Sequence, residues 1–386
     1  MDTVGSGCMS CSIPGMEDAG CIFLFGYNPA DSHPIVARRI VRAKEKGCKI
    51  IVADPRHIET ARIADIYLPI KNGCNVAFLN AFANCLVNDG LYDKEFVAEH
   101  TNGFDEWWET IKNYTPESVQ DITGVDPSLI HQAAEMYATA KPSAIIGWGM
   151  GVCQQKQNLK TVHTIASIAC VAGQIGKPNS GLAPVRGQNN VQGSCDMGML
   201  PNLYPGYQKV TDPAARAKFA KAWGVPEEKL PLEEGYKLTD LGHLVDEGKV
   251  HCFYNYGEDP VQTEPDSAGM RKTLSELDLF ICQDIFMTQT TMLADVILPA
   301  TSWGEHEGVF TASDRSFQHF DAAVPPVTTG RSSRTCPRVW AIPCTTTTPS
   351  RSGTSALACA PTLWARPTRR WLPRAATPSG PSRAPM

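Results

Sequence analysis

The stretch 21-CIFLFGYNPADSHPIVARRIVRAKEKGCKIIVAD-54 indicates the fold class, because its pattern predicts a strand, a helix and a second strand in that order. The apolar run at 21–26 predicts a short buried strand. Residues 32–47 place apolar side chains on one helical face and end at a glycine, which predicts an amphipathic helix. The run at 49–54 predicts the next strand. A strand, a helix and a strand in succession form a βαβ unit, which predicts a parallel sheet.

The same order of elements returns later in the chain, as a strand, a helix and a strand at 251–257, 267–277 and 279–284. Three landmarks align: a G-x-x-P turn after the first strand, an aspartate closing the second, and an A-D-x-x-L-P segment beyond it. The aligned residues are 26–29 with 257–260, Asp54 with Asp284, and 64–69 with 294–299. We therefore predict an α/β fold with two related doubly wound, Rossmann-like nucleotide-binding units on parallel sheets.

The ends of the predicted strands indicate where a ligand binds. In an open parallel sheet, ligands lie beyond the carboxyl ends of the strands, where helix N-termini offer N–H groups to phosphate. Gly26 and Gly257 stand there, and Asp54 or Asp284 could accept hydrogen bonds from a ribose hydroxyl or a purine N–H edge. For one copy alone, a plain turn and a helix N-cap explain the pattern better, and the duplication favours a ligand. No G-x-G-x-x-G follows either first strand, which disfavours NAD.

A glycine-rich segment, 176-GKPNSGLAPVRGQNNVQGSCDMG-198, follows three further predicted elements. These are a helix at 128–141, a strand and turn at 143–151, and an apolar helix at 159–173. The guanidinium of Arg186 is always charged and matches a carboxylate with two parallel hydrogen bonds, so it could orient a small carboxylate near a cofactor. An Arg paired with an Asp in a structural loop explains the same residue equally well.

Composition limits the classes of protein that remain. The 386 residues, 42% of them hydrophobic, suffice for two or more domains. No apolar run reaches the length of a membrane span, and the first twenty residues lack the features of a secretory signal, so we expect a soluble, cytoplasmic protein. The 14 cysteines are scattered through a long chain, which indicates reduced thiols. The net charge of −5 disfavours nucleic-acid binding.

The tail at 328–386 is unrelated in composition to the rest of the chain. It contains nine Arg and nine Pro but no Asp, Glu or Lys, so residues 1–327 hold 26 Lys and Arg against 40 Asp and Glu, a formal charge of −14. Neither helical nor strand periodicity runs through it. One interpretation is a basic disordered tail for an acidic partner or RNA. The interpretation that we favour is a single-base frameshift after Val327, which would remove acids and lysines together.

Seven motifs are spread over the chain. They are FGYNPADSHPIVA (25–37), VADPRHIETARIAD (52–65), YTPESVQDITGV (114–125), PVRGQNNVQGSCDMG (184–198), GEDPVQT (257–263), QDIFMT (283–288) and SWGEHEGVFTASDRSFQ (302–318). Together they resemble the catalytic subunit of molybdenum-dependent formate dehydrogenases, which are molybdopterin oxidoreductases. The DPR and WGEHEG motifs are similar to the superfamily as a whole, whereas VRGQNNVQG is similar to formate dehydrogenases.

The resemblance implies two molybdopterin guanine dinucleotides on one molybdenum or tungsten atom, one dinucleotide in each of two domains at 1–186 and 187–327. For the first dinucleotide the matching positions are Gly26, Asn28, Asp31, Ser32, Asp54, Arg56, Lys71, Asn72, Gly73, Gly151 and Gln154. For the second they are Gly257, Glu258, Asp259, Gln283, Asp284, Ser302 and Asp314. Arg186 would bind formate, and Gln188 would hold the pterin beside the metal.

The reaction that the resemblance implies is oxidation of formate to carbon dioxide, with two electrons passing to the metal. The family also has a [4Fe-4S] cluster on an N-terminal Cys-rich segment, and a Cys or selenocysteine followed by His as metal ligand. The sequence matches neither, and a selenocysteine codon taken for a stop would explain its start. Cys8 and Cys11 form one C-x-x-C pair, which cannot complete a four-thiolate site, so we expect two thiols there. The chain alone is therefore expected to be inactive.

The implied partners are formate and electron-transfer subunits, namely an iron-sulfur protein with a hydrogenase or an NAD-linked subunit as options. Neither nucleic acid nor direct membrane insertion is expected. Two alternatives stay open: another molybdopterin oxidoreductase such as a nitrate reductase, and a noncatalytic cofactor-binding fragment.

Overall fold

The computed structural model describes residues 7–324, and the predicted disordered or frameshifted tail at 328–386 lies outside the described residues. Within that range the chain forms two compact units. The first unit reaches to Gly193 and includes Val309–Gln318, and the second covers Ser194–Gly308 and continues from His319. The domain limits predicted at 186 and 187 stay a prediction.

The first unit alternates strands with helices around a five-stranded sheet. Its strands are β1 (Cys21–Phe25), β2 (Lys49–Ala53), β3 (Ile66–Leu68), β4 (Ala144–Trp148) and β5 (Gly181–Pro184). Its helices are α1 (Pro29–Ser32), α2 (Pro34–Glu45), α3 (Asn75–Asn88), α4 (Lys94–His100), α5 (Phe104–Ile111), α6 (Pro116–Thr123), α7 (Pro127–Ala138), α8 (Met150–Cys153) and α9 (Asn158–Val171), and α10 (Val191–Asp196) follows. The strands are all parallel, in the order β3-β2-β1-β4-β5, so the predicted parallel α/β architecture is confirmed.

Alternate side chains of β1 enter two cores on opposite faces of the sheet. Phe23 and Phe25 join one core, where the ring of Phe23 stacks on that of Phe82 in α3 with centroids 5.2 Å apart. Ile22 and Leu24 join the other core, together with apolar side chains of α2. Helices therefore cover both faces of the sheet, as in doubly wound folds.

The helix predicted at 32–47 corresponds to α2, which begins two residues later, at Pro34, and ends at Glu45. α1 ends at Ser32, His33 has φ −142° and ψ 66°, and α2 begins at Pro34. Proline has no N–H to continue a helix, and its ring restricts the preceding residue to extended conformations. The position of Pro34 therefore determines where the long helix begins.

The second unit has a smaller sheet of three parallel strands in the order β10-β9-β8. Its strands are β6 (Leu203–Tyr204), β7 (Gln208–Lys209), β8 (Cys252–Tyr256), β9 (Leu279–Asp284) and β10 (Val296–Pro299), and β11 (Gly308–Thr311) and β12 (Phe317–Phe320) follow. Its helices are α11 (Pro213–Trp223), α12 (Leu241–Asp246), α13 (Pro260–Thr263) and α14 (Ser267–Ser275). Between Gly7 and Val324, no helix combines the length and the apolar character needed to cross a lipid bilayer.

The structure reproduces the internal repeat down to single hydrogen bonds. The glycine after the first strand donates its N–H to the second strand in both units, and a later aspartate accepts from the second strand's backbone. The pairs are Gly26 N to Ala53 O and Gly257 N to Gln283 O, both 2.9 Å, and Ile50 N to Asp65 Oδ2 at 2.8 Å and Phe280 N to Asp295 Oδ2 at 2.7 Å. The order β10-β9-β8 also repeats the order β3-β2-β1.

Candidate active site

A cavity of about 420 Å³ lies in the first unit at the carboxyl edge of its sheet. The residues that line it come from the loop after each strand: Gly26 after β1, Asp54 after β2, Ile70 after β3, Gly149 after β4 and Val185 after β5. The chain runs outward in one direction from β1 to β3 and in the other from β4 to β5. Open α/β sheets bind ligands at such a switch point, which makes this cavity the candidate site.

Two of the loops that line the cavity touch through glycines. Gly26 has a φ of +55°, and a Cβ added there would lie 3.1 Å from the carbonyl carbon of Gly151. A Cβ added to Gly151 would lie 2.6 Å from the carbonyl oxygen of Gly26. Both positions therefore require glycine, and the loops after β1 and β4 offer main-chain groups to a ligand.

The turn after β1 presents polar side chains to the cavity. Asn28 Nδ2 donates to Asp31 Oδ2 at 2.6 Å, while Asn28 Oδ1 accepts from Thr60 Oγ1 at 3.1 Å. Ser32 Oγ donates to the carbonyl oxygen of Asn28 at 2.9 Å. The three residues predicted in this turn, Asn28, Asp31 and Ser32, all line the cavity in a fixed arrangement.

His33 connects this turn to the loop that carries Arg186. Its Nδ1 lies 2.9 Å from Ser32 Oγ, and its Nε2 donates to the carbonyl oxygen of Arg186 at 2.6 Å. The ring also packs edge-on against Tyr27. His33 lines the cavity but was not predicted, because the contact joins residues 153 positions apart.

Asp54 is a buried carboxyl group at the end of β2, with 9% of the residue exposed. Its Oδ1 accepts from the backbone N–H of Arg56 at 2.9 Å. Burial raises its pKa, and the hydrogen bond and charge of Arg56 oppose that shift in part. Among residues 7–324, no donor forms a hydrogen bond with Asp54 Oδ2, so this oxygen is left to accept from a ligand.

Two side-chain amides form a chain beside the glycine contact. Asn75 Nδ2 donates to Gln155 Oε1 at 3.1 Å, and Gln155 Nε2 donates to the carbonyl oxygen of Gly151 at 2.6 Å. Both residues line the cavity, whereas the predicted Gln154 and Gly73 do not. Gln154 is the C-cap of α8, so the local turn places its neighbour at the cavity instead.

Arg186 is held by neutral groups only. Its Nη2 donates to the carbonyl oxygen of Gly7 at 2.8 Å and its Nε donates to Gln192 Oε1 at 3.3 Å. Its backbone N–H donates to Ser313 Oγ at 2.9 Å. Within the described range, no carboxylate lies within ion-pair distance of the guanidinium. A structural Arg–Asp pair is therefore not formed, and the N–H groups on Nη1 stay available to an anion.

Val185 and Gly187 line the cavity on either side of Arg186 in sequence. Gln188 is exposed. The other residues predicted for the first dinucleotide that line the cavity are Arg56, Lys71, Asn72 and Gly151, and Lys71 Nζ also donates to the carbonyl oxygen of Asp121 at 2.9 Å.

The second unit repeats the turn with different side-chain partners. Asp284 Oδ1 accepts from the backbone N–H of Phe286 at 3.0 Å, as Asp54 does from Arg56. Asp259 Oδ1 accepts from the backbone N–H of Thr290 at 3.1 Å. Gly257 has a φ of +65°, close to that of its counterpart Gly26.

The remaining residues predicted for the second dinucleotide are divided between the units. Gln283 is buried and accepts a hydrogen bond from the hydroxyl of Tyr254. Glu258 is more exposed, and partial burial of its carboxyl group raises its pKa. Ser302 begins a 3₁₀ turn with a capping box. Asp314 lies within the segment that packs with the first unit, where its Oδ2 accepts from Ile13 N at 2.9 Å.

A family model described as "Molybdopterin oxidoreductase" matches residues 1–334. The chain belongs to the molybdopterin oxidoreductase family. It is 57% identical over 324 residues to formate dehydrogenase H of Escherichia coli, across 84% of this chain and 45% of that protein. It is 45% identical over 320 residues to the F420-dependent formate dehydrogenase 1 subunit alpha of Methanococcus maripaludis, across 83% of this chain and 46% of that protein. The chain thus spans about half the length of these curated relatives.

The likeness to a solved structure concerns the fold alone. Acetylene hydratase from Pelobacter acetylenicus superposes with a TM-score of 0.64 at 23% sequence identity, across 91% of this chain and 50% of that one. The α/β class with parallel sheets agrees with this likeness.

Membership of the molybdopterin oxidoreductase family implies a molybdopterin cofactor and molybdenum. The cavity suits such a group, because two closely approaching glycines, a carboxylate oxygen of Asp54 and several side-chain amides line it. Cys8 and Cys11 are both buried, and burial raises the pKa of Cys11 to about 12. Cys11 is thus a protonated thiol at neutral pH.

Replacement of Asp54 by Asn is expected to weaken nucleoside diphosphate binding to the first unit by about tenfold or more. A hydrogen bond to a charged acceptor contributes roughly 1.5–3 kcal/mol, and Asn keeps the oxygen that accepts from Arg56 N while losing the second acceptor. Calorimetric titration of the full chain with guanosine diphosphate, and with adenosine diphosphate for comparison, measures the change.

The matched variant Asp284→Asn alters the equivalent position of the second unit.

Because the pKa of Asp54 is raised by folding, ionisation opposes folding and stability falls as pH rises through the acid range. Asp54→Asn is therefore expected to stabilise the ligand-free chain at neutral pH. Unchanged affinity together with lowered stability would assign Asp54 a purely structural role.

Proposed function

We propose that the chain carries the formate-binding part of a formate dehydrogenase catalytic subunit, which oxidises formate to carbon dioxide. The observation that supports it best is Arg186, a half-buried cation whose hydrogen-bond partners among residues 7–324 are all neutral and whose sequence neighbours Val185 and Gly187 line the cavity. Formate is the smallest carboxylate, and a guanidinium binds a carboxylate through two parallel N–H groups. The similarity to two formate dehydrogenases agrees with this substrate.

The chain's own residues have separate tasks in this proposal. Arg186 binds and orients formate, and His33 holds the backbone of that arginine through its carbonyl oxygen. The glycine loops and Asp54 hold one molybdopterin guanine dinucleotide by its phosphates and by its ribose or guanine, and Gln188 contacts the pterin. Gly257, Asp259 and Asp284 hold the second dinucleotide in the same manner. When bound, the cofactor supplies molybdenum or tungsten as the acceptor of the two electrons.

Electron-transfer subunits as partners and a cytoplasmic location belong to the same proposal.

The duplicated turns support two dinucleotides rather than one, because each unit has a positive-φ glycine and an aspartate at matching strand ends. The guanine form of the cofactor rests on Asp54 and Asp284, which can each accept from a purine N–H edge.

Cofactor content and two dye assays test the proposal together. The complete gene product is isolated anaerobically from a host that makes the cofactor, and guanosine monophosphate is counted after acid hydrolysis. We expect two per chain, and formate-dependent reduction of a viologen dye. Nitrate-dependent oxidation of the reduced dye without formate activity would favour a nitrate reductase. Guanosine monophosphate without either activity would favour a noncatalytic cofactor-binding protein, and its absence would overturn the proposal.

A further inference from the structure

A cluster of three side chains lies outside the cavity, where α3 packs on α7. The cluster consists of the Cys85 thiol, the Asp89 carboxylate and the His131 imidazole, and one ligand atom of each lies within 4.8 Å of the other two. His131 Nδ1 is 2.7 Å from Asp89 Oδ2. Sulfur, nitrogen and oxygen donors therefore converge on one point of the first unit.

The helices hold these three residues in place. Cys85 and Asp89 are one helical turn apart, and the N–H of Asp89 donates to the carbonyl oxygen of Cys85 at 2.9 Å. α3 and α7 are packed together by the rings of Phe82 and Tyr137, whose centroids are 5.9 Å apart. Cys85 and His131 thus lie within two packed helices and Asp89 is the C-cap of the first, so the cluster is built on helices, as precise metal sites are.

The burial of the cluster suits an ion that enters from solvent. Cys85 is fully buried, whereas the side chains of Asp89 and His131 are 36% and 39% exposed. A tetrahedral zinc ion with these donors needs ligand atoms roughly 3.3–3.6 Å apart, so movements of about 1 Å suffice. Mg²⁺ and Ca²⁺ prefer all-oxygen ligands, whereas a mixed set with thiolate and imidazole suits Zn²⁺.

We propose that Cys85, Asp89 and His131 bind a zinc ion, with a water molecule as the fourth ligand, and that the ion links α3 to α7. The Cys85 proton passes to solvent as the sulfur–zinc bond forms, and no electron is transferred. The metal would bind His131 Nδ1, and Glu117 Oε1 lies 3.9 Å from Nε2, the ring nitrogen that does not bind the metal. Carboxylates in that position orient metal-binding histidines.

Charge around the cluster is consistent with a bound cation. Two carboxylates lie beside His131, with Asp89 Oδ2 2.7 Å from its Nδ1 and Glu117 Oε1 3.9 Å from its Nε2. A divalent cation would lie among two carboxylates and would offset their repulsion of the thiolate.

Titration of the metal-free full chain with Co²⁺, and with Zn²⁺ in competition, tests the proposal. We expect one equivalent of Co²⁺ to bind with a cobalt–thiolate absorption band in the near ultraviolet, which Zn²⁺ abolishes. Cys85→Ser removes the band, whereas His131→Gln, Asp89→Asn and Glu117→Gln each weaken binding by roughly tenfold or more. Zn²⁺ raises the midpoint of thermal unfolding in the unsubstituted chain and raises it less in the four variants of the cluster, because a ligand that binds the folded state stabilises it in proportion to its affinity.

Cys170→Ser is the matched control, since Cys170 is a partly buried thiol outside the cluster. It is expected to keep the band and the affinity. If Cys85→Ser does not fold, the His131→Gln variant tests the zinc site instead, because the His131 side chain lies at the surface. A band that survives in Cys85→Ser, or an unchanged Co²⁺ affinity in His131→Gln, places the metal at other residues and overturns the proposal, as does the absence of stoichiometric binding.

Discussion

Replacement of Arg186 by Gln is expected to lower kcat/KM for formate-dependent dye reduction by roughly 10²–10³-fold, the loss typical when one preorganised charged or hydrogen-bonding group is removed from a reacting anion. The guanidinium has no carboxylate partner among residues 7–324, so its charge is available to formate in full. Arg186→Lys keeps the charge but loses the planar fork, and its activity should stay well below that of the unsubstituted enzyme. Steady-state kinetics of the complete, cofactor-loaded gene product measure both variants.

Arg39→Gln is the matched control for Arg186→Gln. Arg39 lies on α2, forms an ion pair with Glu17 at 2.7 Å and does not line the cavity. Surface ion pairs contribute about 0–1 kcal/mol to stability. This variant should keep full activity, and both variants should release the same guanosine monophosphate per chain. Full activity in Arg186→Gln would remove Arg186 from the formate site, and loss of the cofactor would assign it a role in assembly.

Sequence patterns predicted the parts of the fold that depend on local periodicity. β1, β2 and β9 lie within a residue of their predicted bounds, because short apolar runs between turns form buried strands. The duplicated aspartates were predicted from spacing alone, and they make the same backbone hydrogen bond. The start of the predicted helix at Pro34 rather than at residue 32 follows from proline chemistry that an apolar pattern does not include.

The contacts that build the site could not be predicted, because they join distant parts of the chain. Arg186 is held by Gly7 and Ser313, which are 179 and 127 positions away. The family resemblance implied Gln154, whereas the turn after α8 places Gln155 at the cavity. Such choices depend on backbone dihedral angles and on long-range packing, which residue types alone do not determine.

Because Gly26 and Gly151 are in close contact, we expect that neither position tolerates a side chain. We expect Gly151→Ala to lower the free energy of unfolding by roughly 1–3 kcal/mol, because its Cβ would lie 2.6 Å from a backbone oxygen that can move only with its strand. Gly26→Ala combines a positive φ with a 3.1 Å contact, so a loss of roughly 2–4 kcal/mol is expected. Both variants should also lose the cofactor, since the added methyl groups fill the meeting point of two lining loops.

Gly90→Ala separates the two causes, because Gly90 has a φ of +69° but no atom within 4 Å of an added Cβ. In Gly90→Ala only the left-handed backbone conformation is unfavourable, and it lowers the free energy of unfolding by about 1–2 kcal/mol. Urea unfolding of the three variants therefore measures conformational strain alone in Gly90→Ala, steric contact alone in Gly151→Ala, and both in Gly26→Ala. If Gly151→Ala were as stable as the unsubstituted chain and kept its guanosine monophosphate, the two loops would not meet closely in solution. A cofactor site built from their main-chain groups would then be untenable.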